Sequence, residues 1–266
     1  MPGPSGETAG ARVGGENGRR MALLFSGLIG AIVLFTDLAS GETAERVMER
    51  YFSAVGGKER LEAVQSLRMT ATVALGAGME ATLSYEQKRP SCVRVEATSQ
   101  GLTAITVINA AAGWRMDPFS GIREPQPIPD SQLAMLREQA DPGFLVDWKK
   151  LGTRLKLLGK ENVGGVPAWR IRAVGTKKDT SEIWFDAETS LPVRSLVATA
   201  TDSAHSRWEG LYGDYRLVDG LKYPFSMVRR EPGSSMTQVF RVQTLEINVP
   251  IDDSRFASIS PGVTTA

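Results

Sequence analysis

Three consecutive stretches of this sequence alternate apolar residues with a period of two. Every second residue is apolar from Leu67 to Leu75, and the pattern recurs from Met79 to Tyr85 and from Val93 to Ala97. Successive side chains of a strand point to opposite faces, so this pattern is typical of antiparallel strands with one covered and one wet face. The stretches are therefore expected to form the start of a β meander.

The second half of the chain continues in the same way. Gly164-Gly165 and Asp219-Gly220 predict two-residue hairpin turns, because both central positions of such turns need a positive φ. Alternating βαβ units are absent from the pattern, so we expect a mainly β (α+β) fold of about 11 antiparallel strands. The later predicted strands are 155–163, 166–174, 182–185, 193–199, 207–218, 221–230 and 236–249.

The first 41 residues are expected to lie outside this fold. Residues 1–18 contain almost no large apolar side chain, which predicts disorder. Arg19-Arg20 then precede a 15-residue apolar run that ends at Phe35, shorter than the ~20 residues of a spanning helix. We expect a secretory signal cleaved near Gly41, with an uncleaved anchor as the alternative. Residues 42–266 would form a single ligand-binding domain.

Helices are predicted at two places. Residues 42–64 carry an apolar stripe interrupted by Gly56-Gly57, which predicts a helix followed by a short second one. Between the two β halves, prolines 118, 125, 127 and 129 predict a long loop, followed by a short helix with Leu133 and Leu136 and by the apolar stretch 144–148. Short helices cannot bury an apolar side alone, so these are expected to cover the apolar face of the sheet.

The composition excludes several functions. A net charge of +1 gives no basic surface for nucleic acid. Cys92 is the single cysteine and His205 the single histidine, which argues against a disulfide, most zinc sites and most Ser–His pairs. Gly76-Ala-Gly78-Met-Glu-Ala81 matches a dinucleotide-binding pattern but joins two strands without a following helix. We therefore expect no catalysis, no metal and no cofactor.

Several short motifs resemble the LolA family of periplasmic lipoprotein carriers. Lys88-Arg89-Pro90 resembles the turn between early strands of that family, and Trp114 followed by Asp117-Pro118-Phe119 is similar to its tryptophan strand and the turn after it. The helix before the first strand agrees as well. The C-terminal half, including Asp219-Gly220 and 247–252, resembles lipoprotein-sorting proteins.

The resemblance implies an incomplete β-barrel with a helical lid over an apolar cavity. It also implies that Arg89 bonds to the lid and gates it, and we expect the lid to lie around Leu133, Leu136 and Phe144. The expected ligand-binding and latch residues are Arg89, Trp114, Phe119, Leu133, Leu136, Phe144 and Trp148.

The resemblance further implies a function. The chain is expected to be a monomeric periplasmic carrier that binds lipoprotein acyl chains or free lipid and transfers them toward the outer membrane, with membrane proteins as donor and acceptor. The alternative is a lipid-responsive sensor on the same fold, which would couple ligand occupancy to a protein partner.

Overall fold

The computed structural model describes residues 41–75, 78–130, 132–133, 146–175, 180–201, 204–233 and 237–259, with side chains 198–206 excepted. The predicted signal segment therefore lies outside the described residues. Two helices precede the first strand, α1 (Ala44–Val55) and α2 (Lys58–Glu62). The hydroxyl of Thr43 accepts a hydrogen bond from the amide of Arg46 at the start of α1, which satisfies a free helix N–H group. Both helices were predicted.

In the described part of the chain, thirteen antiparallel strands form one open sheet, in the order β6-β5-β4-β3-β2-β1-β13-β12-β11-β10-β9-β8-β7. Almost all neighbours in the sheet are also neighbours in sequence, and pairing of β1 with β13 joins the two meanders. The strands are β1 (Ser66–Ala74), β2 (Glu80–Lys88), β3 (Cys92–Ser99), β4 (Leu102–Ile108), β5 (Gly113–Asp117), β6 (Ile122–Pro127), β7 (Arg154–Val163), β8 (Val166–Val174), β9 (Thr180–Asp186), β10 (Pro192–Thr201), β11 (Ala204–Val218), β12 (Leu221–Arg230) and β13 (Thr237–Ile247).

The sheet has more strands than the sequence predicted, and β6 explains part of the difference. It lies in the segment that its prolines predicted to be a loop, and it pairs with β5 through Trp114 opposite Pro127. Proline cannot donate to a sheet ladder, so it is confined to edge strands and bulges. Since β6 is an edge of the sheet, Pro125 and Pro127 are tolerated there.

The two predicted hairpin turns are present. Asp219 and Gly220 both have positive φ values, 47° and 82°, between β11 and β12. Gly220 also approaches the end of α1 closely, because a Cβ on Gly56 would lie 2.1 Å from the carbonyl oxygen of Gly220. Glycine is therefore required at position 56, where φ is 124°.

We call the face of the sheet that carries Leu67, Met69 and Ala71 the inner face. Helix α1 covers its β7–β9 part, where Met48 and Phe185 belong to one buried cluster and the rings of Tyr51 and Phe185 lie 5.4 Å apart. Elsewhere on the inner face, α1 contacts β12, and Leu61 of α2 packs with Leu67 and Leu221 at one end of β1 and β12.

The opposite, outer face carries ion pairs and the C-terminal segment. Glu182 accepts from Arg170 and Arg172, and Glu86 accepts from Arg68 and Arg255. Residues 249–259 cover the outer side of β4 and β5 with an apolar cluster, formed by Ile105, Val107, Ile251, Phe256 and Ile259. Ion pairs and this segment thus occupy the outer face.

Candidate ligand-binding site

A cavity of about 880 Å³ lies on the inner face, within the volume range of about 300–1,000 Å³ that is usual for ligand pockets. The walls are mostly aliphatic side chains, and those of β1 and β2 belong to the alternating apolar sets seen in the sequence. Its described lining residues are Leu67, Met69, Ala71, Val73, Leu75, Met79, Ala81, Leu83, Tyr85, Gln87, Val95, Ala97, Ser99, Gln100, Phe119, Tyr223, Pro224, Met227, Arg229, Gln238, Phe240, Val242 and Leu245.

The cavity runs along the strands. From Leu67 to Leu75 it spans about 26 Å, at about 3.3 Å per strand residue. A β-bulge keeps the β13 wall of the cavity apolar along its length. The register between β1 and β13 shifts at Thr70/Ala71, so Val242 and Leu245 both face inward although they are three residues apart. This is an elongated apolar slot rather than a compact pocket.

One end of the slot is closed by α2 and the residues after it. Val64 and Leu221 are buried there, and Tyr85 and Tyr223 pack against them. Burial raises the pKa of Tyr85 and that of Tyr223 to about 12 each, so both phenols stay neutral at physiological pH. We call this end the helix end. It holds a hydrogen bond of 3.2 Å from the Tyr85 hydroxyl to Gln87 Oε1.

The other end lies at the β1–β2 and β3–β4 turns, and we call it the hairpin end. Ser99, Gln100 and Gln238 line the slot there. Phe119, 52% exposed, and Met79, 48% exposed, lie at the same end. Exposed apolar side chains beside polar ones indicate an end that is open to solvent.

Arg229 also lines the hairpin end, directly opposite Gln238 on β13. Its guanidinium carbon lies 4.0 Å from the centre of the Trp208 ring. Burial lowers the pKa of Arg229, and a weaker effect of Tyr212 opposes that shift. Among the described lining residues, Arg229 is the only charged side chain.

Next to the slot, Leu133 packs onto the inner face. It is 2% exposed and belongs to a cluster with Val93, Ile108 and Ile128, against which the slot residues Tyr85 and Val95 also pack. Gly113 makes this contact possible, because a Cβ there would lie 2.7 Å from Leu133 Cδ1. The expected lid residue thus covers the sheet beside the slot.

Arg89 lies at the helix end. Its Nη1 donates to the carbonyl of Glu62, the last residue of α2, over 3.3 Å. Its Nε and Nη2 are buried without a hydrogen-bond partner among the described residues. The pKa of Asp147 is lowered, first by its hydrogen bond from Lys150 and further by the charges of Lys150 and Arg89. Arg89 therefore contacts the end of α2 and lies near Asp147.

The other expected site residues are separated. Trp114 pairs with Val107 and packs against the outer-face cluster, so it does not line the slot. The expectation for Trp114 differs from the structure because the face that each β5 residue occupies depends on how β5 pairs with β4. The sequence does not show that pairing. Trp148 is half-buried, with Lys149 Nζ 5.1 Å from the centre of its ring, and it is not among the described lining residues. Leu136 and Phe144 lie outside the described residues.

Arg229 was not among the expected residues, although the sequence holds a signal for it. Tyr223, Met227 and Arg229 are separated by even numbers of residues, so on a strand they share one face, and all three line the slot. A charged residue at an apolar position of an alternating strand is that signal.

The described residues contain neither a cluster of metal ligands nor a membrane-spanning helix. No group of three or more His, Cys, Asp or Glu side chains could hold a metal ion. None of the helices in this part of the chain is long and apolar enough to span a membrane.

No family model matches the chain, and no curated protein sequence matches it. Solved structures do. A DUF1329-family protein from Desulfovibrio piger matches with a TM-score of 0.55 and 12% identity over 80% of this chain and 96% of that one. A LolA-superfamily protein from Nitrosomonas europaea matches with a TM-score of 0.52 and 13% identity over 82% and 98% of the two chains.

This chain has a LolA-like fold. A third structure, a putative outer-membrane lipoprotein-sorting protein domain from Vibrio parahaemolyticus, has a TM-score of 0.51 and 10% identity over 79% of this chain and 94% of that one. The expected LolA resemblance is thus confirmed for the fold, as a mainly β sheet with few helices.

Proposed function

We propose that this protein is an exported, monomeric carrier that binds acyl chains of lipoproteins or free lipid in the inner-face slot. The observation that carries the proposal is the slot itself, elongated, lined by aliphatic side chains and open at one end. The LolA-like fold, shared with a lipoprotein-sorting domain, supports the same reading. On this proposal residues 1–41 direct export to the periplasm and residues 42–266 form one lipid-binding domain.

The slot suits an acyl chain on energetic grounds. Burying a chain gains about 0.8 kcal/mol per methylene, on the order of 10 kcal/mol for a long chain. The described lining residues include no His, Cys, Asp, Glu or Lys, and we propose that the slot binds lipid without catalysis. Release must then be driven by a change in the cover of the slot. Membrane partners would donate the lipid to the protein and accept it on release.

We propose that the sheet acts as an incomplete barrel with a lid around Leu133. Arg89 would be its latch at the helix end. Two of its buried donors have no hydrogen-bond partner among the described residues; in the proposal they raise the free energy of the closed arrangement, since an unsatisfied buried donor costs about 1–3 kcal/mol. The closed state is then stable enough to hold lipid and still able to open.

The latch predicts a specific variant effect. Arg89→Leu removes the bond to Glu62 together with the two unpartnered donors and keeps an apolar stem. Because two unsatisfied donors cost more than one hydrogen bond contributes, the closed state becomes more stable and transfer to acceptor liposomes slows, by about ten-fold for about 1.4 kcal/mol. The measurement is transfer of a fluorescent fatty acid from the protein to liposomes. Arg241→Leu is the control, because Arg241 is exposed on β13 and its neighbours Phe240 and Val242 line the slot while it does not.

Lys88→Leu, the neighbouring substitution, is not a suitable control. Lys88 donates to the carbonyl of Ile251 over 3.2 Å and to Asp253 over 2.5 Å, so it fastens the C-terminal segment to β2. If Arg89→Leu and Arg241→Leu transfer lipid at the same rate, Arg89 is a structural residue and the latch is refuted.

The function itself is tested by transfer. Protein loaded with a fluorescent fatty acid should deliver it to acceptor liposomes faster than the free lipid equilibrates through buffer. Tight binding with no transfer in the presence of membranes would instead favour the sensor. Failure to bind the fatty acid at all would refute both.

A further inference from the structure

We propose that the hairpin end of the slot is an anion site and that Arg229 binds the negatively charged head of an amphiphile whose chain lies in the slot. The ligand class is then an acyl chain with a carboxylate or phosphate head. This inference rests on the proposed function and specifies the ligand of the same site.

Neighbouring strands position Arg229 on the inner face. It stands opposite Gly210 of β11 and Gln238 of β13, so these three residues form one row across the sheet. Gly210 has no side chain to fill the row; a Cβ there would lie 2.8 Å from the Tyr212 hydroxyl and 2.9 Å from Ser195 Oγ. That hydroxyl and Ser195 are already hydrogen-bonded to each other over 2.8 Å, so Arg229 is the charged donor of the row and Gln238 its neutral one.

The stacking on Trp208 fixes how Arg229 is presented. A guanidinium has five N–H donors in its plane, and stacking on an aromatic ring occupies its face. With the Trp208 ring 4.0 Å from the guanidinium carbon, the edge and its donors remain available. Planar, pre-oriented donors of this kind match carboxylate and phosphate oxygens.

No carboxylate among the described residues neutralises Arg229. The outer-face arginines differ: Arg230, its neighbour in the chain, pairs with Glu209, and Arg170 pairs with Glu182 over 2.5 Å. A cation that is half-buried at an apolar slot and lacks an acidic partner has lost part of its hydration, and burial lowers its pKa. An anionic ligand head would compensate that loss.

The position of Arg229 along the slot sets the orientation of the ligand. Arg229 lies at the solvent-open hairpin end, and the aliphatic walls continue from there to Leu67 at the helix end. An amphiphile would therefore insert its chain toward α2 and leave its head at the mouth. A neutral head would gain nothing from Arg229.

The test compares acid and ester forms of one probe. Binding of cis-parinaric acid and of its methyl ester is measured by fluorescence for the wild type, Arg229→Gln, Arg229→Lys and Arg241→Gln. We expect the wild type and Arg241→Gln to bind the acid at least about ten-fold more tightly than the ester, as for a charge-assisted hydrogen bond. Arg229→Gln should bind both equally, with unchanged ester affinity, and Arg229→Lys should keep part of the preference.

The outcomes separate the two proposals. Equal binding of acid and ester by the wild type overturns the anion site but does not contradict the carrier proposal. This comparison does not depend on whether any variant folds. Failure of the wild type to bind either probe overturns the carrier. Competition by oleoyl lysophosphatidic acid and by monoolein then tells whether a phosphate head is preferred to a carboxylate. Loss of the ester binding in Arg229→Gln would show that Arg229 holds the slot together and would refute a specific anion site.

Discussion

Gly113→Ala tests whether Leu133 is held on the inner face by the absence of a side chain beneath it. The added Cβ would meet Leu133 Cδ1 at 2.7 Å and Ile128 Cδ1 at 3.2 Å. Both partners are buried, so relief requires the ends of the Leu133 and Ile128 side chains to shift within a packed cluster. Overpacking of this kind costs about 1–3 kcal/mol. We expect that loss in the free energy of unfolding, measured by urea titration, together with faster release of a bound fluorescent fatty acid.

Two controls make this prediction refutable. Gly213→Ala adds a Cβ that meets nothing within 4 Å, so it should be close to neutral. Leu133→Ala alone should cost about 2–5 kcal/mol as a buried cavity. In the double variant the methyl group added at position 113 occupies part of that cavity, so its cost should fall below the sum of the two single costs by at least about 0.5 kcal/mol. Additive costs, or a Gly113→Ala variant as stable as Gly213→Ala, would refute the packing argument.

The other predictions concern the slot, the outer face and chemistry. Leu83→Lys should reduce fatty-acid binding at least about ten-fold by placing a charge in the slot, whereas Leu217→Lys, at a position 70% exposed, should not. Burial acts to raise the pKa of Glu182, but the hydrogen bonds from Arg170 and Arg172 outweigh it, so the pKa is lowered. The contribution of Glu182 to the free energy of unfolding should therefore be complete above about pH 4.3 and should fall as acid protonates the carboxylate. In Glu182→Gln the free energy of unfolding should fall less over the same pH range. His205→Ala should leave lipid binding and transfer unchanged, and a ten-fold loss in a folded variant would contradict the non-enzymatic reading.

The alternating stretches of the sequence predicted the walls of the slot because period-two patterning determines which residues share a face. Leu67 to Leu75 and Met79 to Tyr85 are the clearest case, since every inward position of these stretches lines the cavity. The same argument identified the hairpin at Asp219-Gly220, where the turn chemistry is local.

Features that depend on pairing between distant strands could not be predicted in this way. Trp114 faces outward because β5 pairs with β4 in a register that places it opposite Val107. Strand β6 forms because it lies at an edge, where Pro125 costs no ladder bond. Arg89 contacts the last carbonyl of α2, and only the folded chain brings those two segments together.

The most direct test of the central claim is a native mass spectrum of the mature protein purified without detergent. The slot predicts a population heavier than the polypeptide by the mass of a lipid. Delipidation should remove that population, and added cis-parinaric acid should restore an occupied form. A spectrum of bare polypeptide alone, together with no uptake of cis-parinaric acid, would contradict the claim that this protein carries lipid.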